Sequence, residues 1–232
     1  MISKNLSSDQ LNLAITNYNI LKVIISSLPK YDKPQETKIL IASKYFDELT
    51  LDKFIQQTQH KLFGENIIQD AEHKWGRLKK KYPDIKLHFI GKLQSNKIKS
   101  AVKIFNTIET VSSINTALMI KNTALKLRLP MPVIFLQINI GEELKKNGFT
   151  TKEFIENFRT INDIMQVKGI MCIPPQHKRT STYFIQMRDL AKQFSLSNLS
   201  MGMTNDYKDA IKYGSTQIRI GRFLLDGNAF FS

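Results

Sequence analysis

The sequence predicts an α/β fold, a single (β/α)8 TIM barrel with an extra N-terminal helix. Eight short apolar segments have the composition of parallel strands buried on both faces. Segments with helical periodicity lie between them. The 232 residues also match the length of a one-domain α/β barrel. A doubly wound open sheet is the alternative, and the count of eight units favours closure.

The first predicted element is a helix that precedes the repeating units. Apolar residues recur at helical spacing from Leu11 to Leu28, and Ser8 and Asp9 are candidate N-caps. Pro29 then breaks the pattern.

The predicted strands and helices alternate along the rest of the chain. The strands are Lys38–Ser43, Lys61–Asn66, Leu87–Gly91, Ile104–Val111, Val133–Ile140, Val167–Ile173, Asn198–Gly202 and Gln217–Gly221. The helical patterns are Leu51–Gln57, Ile68–Lys80, Ile114–Leu127, Phe154–Ile164, Tyr183–Phe194 and Asp206–Tyr213. This alternation implies a parallel sheet, and we expect one domain over residues 1–232.

Composition and charge narrow the class of protein. The chain has a net charge of +14, with 34 Lys+Arg against 20 Asp+Glu, which attracts anionic small molecules and polyanions. The lysines are spread along the chain, and no arginine-rich block interleaves with aromatic residues, so nucleic-acid binding is not favoured. No apolar run approaches the roughly 18 residues of a membrane span. The single cysteine, Cys172, excludes an internal disulfide and fits a cytoplasmic location.

Lys44 is the most informative single residue. TIM barrels carry function at the carboxyl ends of their strands, and Lys44 directly follows the apolar segment Ile39–Ser43. A lysine that leaves a buried strand is expected at the barrel mouth, partly shielded from water. Shielding leaves more neutral amine, the nucleophile that attacks an aldehyde. The alternative is a lysine that only extends into solvent at a strand end.

The last two predicted strands carry a candidate anion site. Glycine turns and backbone N–H groups favour a phosphate, and the loops after strands seven and eight form the recurrent phosphate site of TIM barrels. The residues are Ser200, Met201, Gly202, Thr216, Arg219, Gly221 and Arg222. The alternative is that the two glycines only permit tight turns. Cys172 lies in an apolar strand and is interpreted as a core residue, and His88 as a structural residue distant from the site.

These segments together resemble the YggS/PROSC family of pyridoxal phosphate homeostasis proteins. Seven of them occur in order over nearly the whole chain, which makes the signal specific. They are Ala42-Ser43-Lys44, Phe63-Gly64-Glu65-Asn66, His88-Phe89-Ile90-Gly91 with Leu93–Lys97, Gln137-Ile138-Asn139, Gly169–Pro174, Leu199–Met203, and Gly214-Ser215-Thr216 with Arg219-Ile220-Gly221.

The resemblance implies a barrel of the alanine racemase N-terminal domain type that binds pyridoxal 5'-phosphate (PLP). In this family the lysine that matches Lys44 holds PLP as an imine. Ser200, Gly221 and the backbone of Arg222 would hold the phosphate, and Arg219 would face the pyridine nitrogen. Asn66, Met201, Gly202 and Thr216 complete the expected cofactor site. Because an arginine does not give up its proton, the ring would be a poor electron sink.

The expected function is therefore a PLP carrier that releases the cofactor to apo-enzymes. Alanine racemases have a second, β-rich domain with a catalytic tyrosine, and its absence here predicts a monomer without efficient racemisation. Two alternatives remain open. A PLP-dependent enzyme that acts on amino acids needs a second acid/base group at the mouth, and a nucleic-acid-binding protein would use the +14 surface.

Overall fold

The computed structural model describes residues 6–29, 31, 36–144, 146–175 and 179–226. Within them, eight parallel strands close into one barrel in which each strand pairs with the next and the last pairs with the first. The predicted TIM barrel is therefore confirmed. None of the described helices combines the length and the apolar character that crossing a bilayer requires.

Strands and helices alternate around the barrel. The strands are β1 Lys38–Ala42, β2 Leu62–Glu65, β3 Lys86–Phe89, β4 Thr107–Val111, β5 Val133–Ile138, β6 Val167–Cys172, β7 Asn198–Ser200 and β8 Gln217–Ile220. The helices are α1 Ser8–Ser27, α2 Glu48–Thr58, α3 Ile68–Lys81, α4 Ile98–Ile104, α5 Ile114–Leu127, α6 Thr151–Ile164, α7 Thr180–Gln193 and α8 Tyr207–Lys212. The 3₁₀ turns Ser43–Tyr45, Ser95–Lys97 and Arg222–Leu225 come after β1, β3 and β8.

The start of α1 is fixed by a capping box. The Ser7 hydroxyl accepts from the Gln10 backbone N–H, and the Gln10 side chain accepts from the Ser7 N–H. The prediction of Ser8 or Asp9 as the cap was wrong, because both residues already lie in the first helical turn. An equivalent box begins α6.

The chain between β3 and β4 differs from its prediction. The fourth strand was predicted to begin at Ile104, but Ile104 ends α4 and the strand begins at Thr107. Ile98, Ala101 and Val102 are buried on one side of this helix. Seven residues are too few to give a clear helical period, which is why the pattern was read as part of a strand.

The barrel interior is more polar than the apolar strand segments suggested. On β8, Gln217 and Arg219 hydrogen-bond to residues of other strands inside the barrel. The alternating residues Ile218 and Ile220 belong to the hydrophobic core that the strands share with the helices. The strand thus packs one face on the helices and turns a polar face inward.

A histidine before β2 joins the barrel to α1. The Tyr18 hydroxyl lies 3.0 Å from His60 Nδ1, and His60 Nε2 lies 2.7 Å from the Leu62 carbonyl. This pattern fits a neutral imidazole that accepts from the tyrosine and donates to the carbonyl. Burial lowers the pKa of His60 to about 4, and the nearby charge of Lys22 acts in the same direction.

His60 is expected to make the free energy of unfolding depend on pH. In the unfolded chain it takes up a proton at its ordinary pKa of 6.5, whereas in the fold it stays neutral to a pH of about 4. Stability is therefore complete above pH 6.5 and falls by up to about 3 kcal/mol as the pH drops to 4. Urea unfolding of wild type and His60→Phe at several pH values tests this. The free energy of unfolding of the wild type, relative to that of His60→Phe, should fall as the pH drops from 6.5 to about 4. A difference that does not change with pH would contradict the assignment.

Candidate functional site

Closure of the barrel brings the Lys44 turn next to Gly221. The parallel register pairs Ile41 with Ile220, so the chain segments that follow β1 and β8 leave the barrel side by side. A Cβ atom on Gly221 would lie 3.4 Å from Tyr45 Cε2. The first and last loops of the barrel mouth therefore form one continuous surface.

Lys44 itself is exposed at this surface. It occupies the middle of the 3₁₀ turn Ser43–Tyr45, and its Nζ lies 4.9 Å from the centroid of the Tyr45 ring. The expectation that Lys44 is shielded from water was wrong, because the turn carries the side chain beyond the rim of the barrel. Its amine is accessible to a ligand that arrives from solvent.

A buried ion pair holds the backbone beneath Lys44. Lys74 Nζ lies 2.7 Å from Glu65 Oε1, and the two side chains are 2% and 1% exposed. Lys74 also donates to the Ser43 carbonyl at 3.0 Å. The same Glu65 oxygen accepts from the Ser43 hydroxyl at 2.7 Å and from Trp75 Nε1 at 2.9 Å. The residue that precedes Lys44 is thus fixed by both members of a buried charge pair, an arrangement that the sequence analysis missed.

The 3₁₀ turn after β8 is anchored on two sides. The turn Arg222–Leu225 begins after Gly221, which has no side chain that could cap it. Phe223 N lies 3.4 Å from Thr204 Oγ1, and Asn17 of α1 donates to two carbonyls of the turn at 3.2 and 3.1 Å. Asn17 and Thr204 were not among the predicted site residues. Both position the backbone that follows Gly221.

Arg219 lies just below the mouth. Its Nη1 donates to the backbone carbonyl and the hydroxyl of Ser200 at 2.8 and 2.9 Å, and its Nη2 donates to the Cys172 carbonyl at 2.7 Å. Because Cys172 ends β6, the guanidinium lies level with the carboxyl ends of the strands. These bonds leave two of its five N–H groups without a partner among the described residues.

Ser200 is not available to hold a phosphate with its hydroxyl. The side chain is fully buried, donates to Glu109 Oε2 at 2.6 Å, and accepts from Gln217 and Arg219. One donation and two acceptances use the whole capacity of a hydroxyl. The expectation for Ser200 therefore does not fit this structure. Thr204, which is only partly buried, supplies a hydroxyl beside the Gly221 turn instead.

Glu109 balances the charge of Arg219 inside the barrel. Its carboxylate lies 2.6 Å from His88 Nδ1 and 2.7 Å from Gln217 Nε2. Burial acts to raise the pKa of Glu109, but the hydrogen bond and charge of His88, the charge of Arg219 and the bond from Ser200 outweigh burial and leave the pKa below its ordinary value. The carboxylate therefore stays ionised and anchors the polar network that orients Arg219.

Three further predicted residues contribute to the fold rather than to the mouth. Thr216 precedes β8, at the amino end of the barrel, where its hydroxyl accepts from Leu199 N at 2.8 Å. Its assignment to the cofactor site conflicts with this position. Met201 is fully buried in the core. Gly202 has a φ of 94°, and a Cβ there would lie 2.5 Å from Ala210 Cβ, so helix packing and backbone conformation both require glycine.

Asn66 and Cys172 lie where the sequence placed them. Asn66 is exposed at the end of β2, and a Cβ on Gly91 would lie 2.0 Å from the Asn66 carbonyl oxygen, so the two strand ends touch at the mouth. Cys172 is fully buried, and burial raises the pKa of its thiol to about 12. It is a core residue and not a nucleophile.

The closed parallel barrel with helices between its strands defines a TIM-barrel protein, and comparison with solved structures shows its fold type. The alanine racemase of Clostridium difficile 630 matches 95% of this chain with a TM-score of 0.68, over 57% of the racemase. The sequence identity is 13%, so this likeness shows the fold alone.

Closer relatives identify the family. A pyridoxal phosphate homeostasis protein of Buchnera aphidicola subsp. Schizaphis graminum is 32% identical over 90% of this chain and 88% of the relative. One of Schizosaccharomyces pombe is 31% identical over 89% and 90%. PipY of Synechococcus elongatus PCC7942, solved without PLP and with PLP bound, gives TM-scores of 0.80 and 0.78 at 29% and 28% identity, over 92% of this chain and 100% of PipY. No protein-family model matches the sequence. The chain belongs to the pyridoxal phosphate homeostasis protein family, which confirms the resemblance.

Proposed function

We propose that this protein binds PLP at the barrel mouth through an imine on Lys44 and releases the cofactor to apo-enzymes. The observation that carries this proposal is the position of the Ser43–Tyr45 turn, which carries the exposed Lys44, beside the Gly221 turn. A ligand with an aldehyde and a phosphate would meet an amine on one loop and backbone N–H groups on its neighbour. The PipY structure with PLP bound supports the same cofactor for this chain.

Lys44 would make and break the covalent bond. Its neutral amine condenses with the aldehyde to form a C=N bond and one molecule of water, and hydrolysis by water regenerates both partners. When bound, PLP supplies a reactive aldehyde and an electron-accepting ring. The exposed position of Lys44 keeps water within reach, which suits a protein that must release its cofactor.

The phosphate would lie on the turn that follows β8. Gly221 allows close approach of the backbone, and the backbone N–H group of Arg222, the first residue of the turn, would donate to the anion. The Thr204 hydroxyl is within reach of the same turn and would add a donor. Asn17, which holds the turn from α1, would act as a positioning residue.

The ring would lie between Asn66 and Arg219. Asn66 would contact the ring hydroxyl from the end of β2, and an unused N–H group of Arg219 would donate to the pyridine nitrogen. Because the guanidinium keeps its protons, it disfavours protonation of that nitrogen. A neutral ring stabilises carbanions poorly, which favours a carrier over an amino-acid-transforming enzyme.

Tyr45 supports the second candidate, a PLP-dependent enzyme that acts on amino acids. Its ring lies at the mouth against Gly221 and Lys44, where a phenol has the chemistry of a second acid/base group. Tyr45 stands on the same short turn as Lys44, so both groups approach from one loop. Conversion of L-alanine to its enantiomer at enzyme-like rates would favour this candidate.

Transfer to an apo-enzyme tests the proposed carrier function. PLP-loaded protein is mixed with a PLP-dependent apo-aminotransferase and a phosphatase that destroys free PLP. We expect reactivation to persist with the loaded wild type, since the bound phosphate is protected, and to fail with the same amount of free PLP. Equal loss of reactivation in both mixtures would contradict the carrier proposal.

A further inference from the structure

The amino end of the barrel, opposite Lys44, contains a cavity. Its volume is about 640 Å³, within the range of sites that bind small molecules. Five lysines line it. Lys22 comes from α1, whereas Lys38, Lys61, Lys86 and Lys168 lie at or next to the first residue of four barrel strands. We call this the amino-end cavity.

Most of its lysines form no ion pair with a described residue, although Asp84 also feels the charge of Lys86. Lys61 forms an ion pair with Asp84 at 2.7 Å. None of the other four lysines has a carboxylate of the described residues within ion-pair distance, and Glu36 is the one acidic residue that the described lining contains. Several lysines that line one concave surface make its potential positive, which attracts an anion.

Two neighbouring groups have a pKa that burial lowers and that lysines of the cavity lower further. Burial lowers the pKa of Lys79, and the charge of Lys86 lowers it further. His60, which also lines the amino-end cavity, has its low pKa from burial first and from Lys22 in addition. Both effects oppose the addition of positive charge here and favour the arrival of negative charge.

Apolar residues also line the amino-end cavity, beside the lysines. Leu62, Val133 and Phe135 supply aliphatic and aromatic surface to its lining. Val133, the first residue of β5, is 38% exposed. The side chains of His88 and Gln217 add polar groups to the lining. An inorganic ion would interact with the lysines but leave the apolar surface exposed to water. The lining therefore fits a molecule that has both an anionic group and an apolar body.

We propose that the amino-end cavity binds a small organic anion, with an aromatic or aliphatic body and a phosphate, sulfonate or carboxylate group. The body would pack on Leu62 and Phe135, and the anionic group would face the lysines. This site is separate from the Lys44 mouth and does not depend on the binding of PLP there.

The dye 8-anilinonaphthalene-1-sulfonate has this combination and serves as the probe. We expect one saturable site per chain, at which a Lys38→Gln/Lys86→Gln variant weakens binding about tenfold or more. The matched control is Lys103→Gln/Lys126→Gln, which removes two exposed lysines outside the cavity lining and should bind as wild type does. The uncharged analogue N-phenyl-1-naphthylamine should bind about tenfold more weakly, and sulfate should compete at high concentration only.

Three results would overturn the proposal. They are equal affinity of the dye for both double variants, equal affinity of the charged and uncharged probes, and loss of dye binding in Lys44→Ala, which would place the dye at the mouth. Dye titration of Lys44→Ala keeps the two sites distinguishable. Loss of PLP binding from this variant with unchanged dye binding is the expected result, because Lys44 is not part of the amino-end lining. Loss of dye binding from the Lys38→Gln/Lys86→Gln variant alone, with PLP binding unchanged, would likewise assign the dye to the amino end.

Discussion

Replacement of Lys44 by alanine is expected to abolish the visible absorption that PLP gains on binding. The only exposed amine on the turn next to Gly221, within the part of the chain that the structure describes, is then gone, and the aldehyde has no partner. Only the non-covalent contacts to the phosphate and the ring would remain, so the Kd for PLP should rise by about a hundredfold or more, equivalent to about 3 kcal/mol. Absorption spectra and equilibrium dialysis measure both quantities.

The matched control is Lys53→Ala. Lys53 is an exposed lysine on α2, outside the mouth, so this variant removes the same charge from the protein and leaves the Lys44 turn intact. It should retain the absorption and the affinity of the wild type. An unchanged spectrum in Lys44→Ala, or an equal loss in both variants, would remove the basis of the covalent assignment.

Glu65→Leu is expected to cause the largest loss of stability. It leaves the Lys74 ammonium buried with only the Ser43 carbonyl as a described partner. Removing one member of a buried ion pair costs about 3–5 kcal/mol, because the remaining charge is desolvated without compensation. The same change frees the Ser43 backbone, so the affinity for PLP should fall as well.

Urea unfolding of the single and double variants measures this effect. Glu65→Leu/Lys74→Met removes both charges and should recover most of the lost stability, which gives a large coupling energy. The control pair is Lys81 and Asp52, which lie 2.7 Å apart at the surface. Lys81→Met should change stability little, since exposed pairs are screened by water. Additive losses in the Glu65 and Lys74 variants would show that the pair does not act as a unit.

The parts of the fold that the sequence predicted are those set by local pattern. Apolar strand segments and alternating helices define the parallel barrel, and closure then places the end of β1 beside the end of β8. For this reason the neighbourhood of Lys44 and Gly221 followed from order along the chain alone. The exposure of Lys44 did not, because a 3₁₀ turn after a strand carries no clear sequence signal.

The polar interior was not predictable in the same way. Glu109 lies in a strand of otherwise ordinary composition, and its partners His88, Ser200 and Gln217 come from three other strands. Lys74 lies on α3, whose last turn is rich in lysines, so its burial has no local marker in the sequence. Such networks depend on which side chains meet across the closed barrel.

The hydroxyl beside the proposed phosphate turn belongs to Thr204 and not to Ser200, four residues earlier, for a related reason. β7 ends at Ser200, whose side chain points into the barrel, and Gly202 then redirects the chain with its positive φ. Thr204 reaches the Gly221 turn only after this change of direction. A choice between the two hydroxyls requires the register of the strand end, which sequence pattern alone does not supply.

Borohydride reduction of the PLP-loaded protein, followed by peptide mass spectrometry, locates the bond to the cofactor directly. Reduction converts the C=N bond to a stable amine, so the modified lysine keeps the added mass. One adduct per chain, on the peptide that contains Lys44, is the expected result. An adduct on another lysine, such as one of those at the amino end of the barrel, with Lys44 unmodified, would contradict the assignment.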